Sequence, residues 1–116
     1  MPRRKQKLTY THSSPAAVAS AVARLGANIA TARLRRRWRQ EDLARKAGLT
    51  RATVVAIEQG KLGTGIGAYV AVLWAMGLHG EVERIAAPDV DIEGRTLEDA
   101  RLARRAHPSR TLSDEF

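Results

Sequence analysis

The stretch that decides the fold is Gln40-Glu41-Asp42-Leu43-Ala44-Arg45-Lys46-Ala47-Gly48-Leu49-Thr50-Arg51-Ala52-Thr53-Val54-Val55-Ala56-Ile57-Glu58-Gln59-Gly60. Its first eight residues read as a short helix with Leu43, Ala44 and Ala47 facing inward. Gly48 suits the left-handed residue that stops such a helix. Thr50 is an N-cap candidate for a second short helix through Gln59, and Gly60 ends that one. Val54 and Ile57 then anchor the second helix to a core. Arg51, Ala52, Val55 and Ala56 remain on its outer face. Ala44 has to be small, because the second helix crosses the first there.

Further helices flank this pair. Ser14-Pro15 is a helix start, and Val18, Val22, Leu25 and Ile29 form one apolar stripe after it. The pattern predicts a long first helix to about Arg37, which Gly26 interrupts. Gly60, Gly63, Gly65 and Gly67 make the next segment a loop. A fourth helix is expected over Ala68 to Met76, with Val70, Leu73 and Trp74 buried and Gly77 as its stop. Gly80 to Ile85 adds a short fifth. Trp38 and Trp74 both read as core residues. The fold class is therefore all-α, a compact five-helix bundle.

Composition points to the partner. The chain has 116 residues, one domain's worth, and a formal net charge of +8. Residues 1–37 hold nine Lys or Arg and no acid, whereas residues 62–116 hold six basic and nine acidic residues. A basic front favours a polyanion, nucleic acid before a membrane surface. There is no cysteine, which excludes disulfides, thiolate zinc sites and Cys nucleophiles. His12, His79 and His107 are too scattered for a metal cluster, so no metal and no cofactor are expected. No run approaches the ~18 apolar residues of a membrane helix, and no secretory signal is seen, so a cytoplasmic protein is expected. No paired-carboxylate site, Ser/His/Asp set or phosphate loop supports an enzyme. Gly63-Thr64-Gly65 follows a helix, not a strand, which argues against a nucleotide fingerprint.

Two short helices around a glycine turn match the helix-turn-helix unit, whose second helix enters the DNA major groove. Residues Arg33 to Gly60, about a quarter of the chain, resemble the Xre/Cro-type helix-turn-helix of bacterial and phage repressors. The resemblance implies a phage-repressor type bundle. It also implies that Arg51, Ala52, Val55 and Ala56 read base edges. Gln40, Thr50, Thr53 and Lys61 then lie near the DNA backbone, and Arg33 pairs with Glu58 in a buried ion pair joining the first helix to the third. Arg39 departs from the usual Ser or Thr cap, which weakens the cap but adds a phosphate charge, as Arg37 does. Arg51 is the one strong polar reader, suited to a bidentate guanine contact. Arg35 to Arg37 also fit a solvated helix end.

Three regions follow: a basic flexible arm at 1–13, the helix-turn-helix domain at 14–87 and a mixed-charge tail at 88–116. Thr96-Leu97-Glu98-Asp99 resembles a capping box. Leu97 to Ala106 is a weak helix candidate stopped by His107-Pro108, and Ser109 to Phe116 reads as unstructured. The tail is poor in large apolar residues, so it is either disordered or ordered on a partner. Residues 86–116 look like the C-terminal part of HipB-like antitoxins, which dimerise, repress their own operon and hold a HipA-like kinase toxin. That likeness makes Leu97, Leu102 and Phe116 the partner-binding residues. The expected partners are thus a double-stranded DNA operator, a second copy through a surface near Trp74 to Ile85, and a HipA-like kinase. A stand-alone Xre-type regulator, and an interaction protein without sequence-specific DNA binding, are the rival readings.

Overall fold

The computed structural model describes residues 15–114, with side-chain surroundings for residues 15–106. The arm at 1–13, Ser14 and Phe116 lie outside the described residues. All regular structure among the described residues is helical. Helix α1 spans Ala16–Arg35, α2 Gln40–Ala47, α3 Arg51–Glu58 and α4 Ile66–Ala75. A 3-10 turn, His79–Arg84, stands where a fifth helix was expected, and α5 spans Ile92–Asp114. The described residues form two compact units, divided between Gly80 and Glu81.

In the first unit α2 packs on both α3 and α4, and α1 packs on α3. The core is Ile29, Leu43, Ala44, Val54, Ile57, Tyr69, Val72 and Met76, with Trp38 and Leu49 packed against it. Gly26 does not break α1. A Cβ at position 26 would collide with the Ile57 carbonyl oxygen, so the glycine is what lets α1 lie against the end of α3. Gly60 serves the same contact from the other side, and its φ of +72° closes α3. Of the expected α1 stripe, Ile29 is buried and Val22 half-buried, whereas Val18 and Leu25 are exposed. Helix α1 stops at Arg35, and Arg37 adopts a left-handed φ of +58°. The Arg37 amide donates to the Leu34 carbonyl and the Trp38 amide to that of Arg33, as in a Schellman ending built without glycine.

Helix α4 corrects one expectation. Tyr69, Val72 and Met76 are its buried residues, Leu73 and Val70 are half-buried, and Trp74 is 59% exposed. Leu62 to Leu78 contains no charged residue, so no polar face marks which side of α4 turns outward. Packing on α2 selects Tyr69, Val72 and Met76, which share one face at spacings of three and four.

The second unit contains α5. Its start is capped by Asp91, whose carboxylate accepts the Gly94 amide at 3.0 Å. The helix begins five residues before Leu97 and runs through His107-Pro108 to Asp114, so the expected stop and the unstructured end are both overturned over residues 107–114. Proline inside a helix removes one amide donor and crowds the carbonyl four residues back, yet the helix continues past Pro108. Among residues 92–106 none is buried. Ile92, Leu97 and Leu102 follow at steps of five, each ~140° further round the axis, so they form no single apolar face.

Candidate nucleic-acid interface

The α2–turn–α3 segment is locked from both ends. Gly48, with φ +71°, ends α2, and its amide and that of Leu49 donate to the Arg45 and Ala44 carbonyls. Thr50 caps α3, its hydroxyl accepting the Thr53 amide at 3.2 Å. The Thr50 and Thr53 hydroxyls also share a hydrogen bond at 3.0 Å. Two turns later the Gly60 and Lys61 amides close α3 onto the Ile57 and Ala56 carbonyls.

A charged network fixes how α3 sits. Arg33 is only 8% exposed. Its Nε donates to Glu58 Oε2 at 2.7 Å, its Nη2 to Oε1 at 3.0 Å and its Nη1 to the Trp38 carbonyl at 2.7 Å. Gln40 Nε2 donates to the same Glu58 Oε1 at 3.1 Å. One carboxylate at the end of α3 is thereby tied to α1 and to the start of α2. Such bidentate, charge-assisted bonds offset the cost of burying both ions. Gln40 thus braces α3 through Glu58.

The α2 cap works by a route the sequence reading missed. Arg39 offers no capping oxygen, but the Asp42 carboxylate accepts the Arg39 backbone amide at 2.8 Å. Asp42 also meets Arg39 Nε at 3.4 Å and Arg45 Nη2 at 3.1 Å. The backbone hydrogen bond from Arg39, then its guanidinium, hold the Asp42 carboxyl below the ordinary value of 3.8. Asp42 and Glu41 partly neutralise Arg39, so the charge it was expected to add is shared. The signal was present in the acidic residue three places after the cap.

The α3 face left by these locks carries the residues the sequence singled out. Arg51 and Ala52 are exposed in its first turn, and Val55 and Ala56 are half-buried behind them. No ion pair holds Arg51 among the described residues. Arg51 joins Arg33, Arg39, Gln40 and Glu41 around an open cleft of about 440 Å³. Arg37 and Lys61 are exposed at the ends of α1 and α3. Arg36 is committed elsewhere, donating to the Met76 carbonyl at 3.1 Å. Lys46 lies 4.8 Å from the Trp38 ring, a contact that sequence spacing did not signal. Among the described residues no three His, Asp or Glu gather as metal ligands, and no helix is long and apolar enough to cross a membrane.

A family model described as a helix-turn-helix domain matches residues 24–86, more than half of the chain. That span runs from the third turn of α1 past the 3-10 turn and contains the whole α2–α3 pair. No curated protein and no solved structure shows a significant match.

Proposed function

The chain belongs to the helix-turn-helix domain family, and on that premise we propose that it is a sequence-specific DNA-binding transcriptional repressor acting as a dimer. The observation that carries this reading is the outer face of α3, which presents unpaired Arg51 beside Ala52, Val55 and Ala56. Arg51 reads a guanine edge, and the small apolar residues admit close approach to thymine methyl groups. Arg37, Arg39, Lys61, Thr50, Thr53 and the Gln40 region face the phosphates that fix the register. With one strong polar reader, part of the selectivity comes from DNA shape and half-site spacing.

Fluorescence anisotropy against the chain's own upstream DNA and a scrambled duplex, at several salt concentrations, tests this. Both duplexes show a steep salt slope through counterion release. A specific repressor binds the native duplex ~10³-fold tighter or more. Equal binding sinks the repressor reading and leaves an interaction protein with a basic face.

The finer reading, an antitoxin that holds a HipA-like kinase, is supported by the HipB-like tail and by Leu97 and Leu102, both exposed on α5. Phe116 belongs to the same proposed contact. Copurification with a kinase encoded beside the chain supports it, and a chain that purifies alone from that operon is the stand-alone regulator.

A further inference from the structure

Beside the joint between α1 and α3 lies a cleft that the DNA-binding face does not use. Val22 and Leu25 of α1, Leu62 and Thr64 of the loop after α3, and Ile66 and Tyr69 of α4 enclose about 240 Å³. No charged residue lines it, so it offers nothing to an ion. Leu25, 37% exposed, and Ile66, 72% exposed, bring uncovered apolar surface to it. Tyr69 is the informative wall. Only 6% of it is exposed, and its buried hydroxyl meets no hydrogen-bond partner. Buried hydroxyls nearly always find one, and a ring needed only for packing could be phenylalanine. Burial pushes the phenol above its ordinary value of 10.0, so the group stays a neutral donor. Water answers it poorly. A buried water needs about two to four polar partners, and Thr64 is the only other polar side chain in the lining.

We propose that this cleft binds a small uncharged molecule, apolar apart from one carbonyl oxygen that accepts from the Tyr69 hydroxyl, and that its occupancy changes how α3 is held. An apolar cavity of about 150 Å³ takes up benzene, so about 240 Å³ admits a ring with a short acyl group. The hydroxyl is closed to solvent in the free chain. The oxygen reaches it as a lining side chain gives way, and Ile66 and Leu25 are the most exposed of these. The link to α3 is positional. Val22 and Leu25 flank Ala23, whose backbone a Cβ at Gly60 would strike, and Leu62 stands just beyond Gly60. A molecule between them bears on the joint that seats the end of α3. The effect on α3 is read through DNA and rests on the DNA-binding reading above, whereas the binding itself does not.

Acetophenone and cumene have nearly the same size and shape, but only acetophenone carries a carbonyl oxygen. Each is titrated into the full chain and followed by amide NMR shifts. Acetophenone saturates with a dissociation constant of about 1 mM or lower and moves the amides of the cleft before those of α2. No saturation, shifts centred elsewhere, or saturation by cumene alone overturns the site. Cleft shifts that follow protein concentration without any probe make a second copy the occupant and overturn it too. Tyr69→Phe keeps the ring and loses the hydroxyl. Its melting temperature without probe does not fall, because no hydrogen bond is lost. Its ratio of acetophenone to cumene dissociation constants rises about fivefold, the worth of one net hydrogen bond. A lower melting temperature shows a partnered hydroxyl, and an unchanged ratio shows a carbonyl that ignores it. Either overturns the proposal. Saturating acetophenone also changes affinity for a duplex selected from random sequence by about threefold or more. Unchanged affinity at saturation overturns the effect on α3. A chain that selects no duplex sinks the repressor reading instead, and the NMR titration still decides the site.

Discussion

Residues 15–80 and α5 are both helical, yet they are helical for different reasons. In the first unit short helices that would be marginal alone are held by burial of Leu43, Val54, Ile57 and Val72, each fully removed from solvent. In α5 no residue of the described part is buried, and helix is supported by the Asp91 cap and by local propensity. The first arrangement positions a rigid surface. The second presents a surface whose apolar residues point in several directions. Recognition of a fixed double helix needs the former.

That contrast predicts where substitutions register. Glu58→Ala has the largest effect, because it leaves Arg33 buried without its carboxylate and frees the Gln40 amide. We expect a loss of about 3 kcal/mol or more in urea unfolding. A loss under ~1 kcal/mol, the range of exposed pairs, breaks the claim that α3 is held by this network.

Arg51→Ala sits on the same rigid unit but outside its core. Stability stays within ~0.5 kcal/mol, while discrimination against the wrong base at one operator position falls by ~1–3 kcal/mol. Uniform weakening over all sequences places Arg51 on a phosphate instead.

Arg37 gives a smaller effect with opposing signs. Its left-handed φ of +58° suits glycine better than arginine. Arg37→Gly raises stability by about 1 kcal/mol, the usual cost of a strained left-handed residue. It also lowers the salt slope of DNA binding by ~1 if the side chain meets a phosphate. An unchanged slope removes Arg37 from the interface.

The pH dependence sharpens the picture of α2. The folded Asp42 pKa lies below its ordinary value of 3.8. Its contribution is therefore fully present above that value and is lost as pH falls through the lower folded value. Acid titration of the melting temperature shows a shallower loss in Asp42→Asn than in the wild type below pH 4. Parallel curves separate the cap from acid stability.

Leu97→Ala and Leu102→Ala come last. Both residues are exposed, so each changes stability by less than ~0.5 kcal/mol. A large loss in the isolated chain shows that the second unit buries them, and the contrast between the two units disappears.

Much of the first unit was legible because its signals are local. Thr50, Gly48 and Gly60 mark the ends of α2 and α3, and Leu43, Val54 and Ile57 keep helical spacing between them. The outer α3 face follows from the same spacing. The Asp42 cap was legible in principle, since the acid stands three residues after Arg39. Arg36 was not, because its partner, the Met76 carbonyl, is forty residues away.

By itself, then, the sequence determined an all-helical chain, a basic front and the residues offered by α3. Periodicity, capping and charge act over a few neighbours and need no tertiary context. Only the tertiary structure decided which side of α4 turns inward and that Trp74 stays outside. A helix of ten uncharged residues has no polar face to set its phase, so contact with α2 sets it. The tertiary structure likewise decided that Gly26 joins α1 to α3 rather than breaking α1. A glycine's lack of a side chain reads as weakness along the chain and as room for a neighbour only once that neighbour is in place.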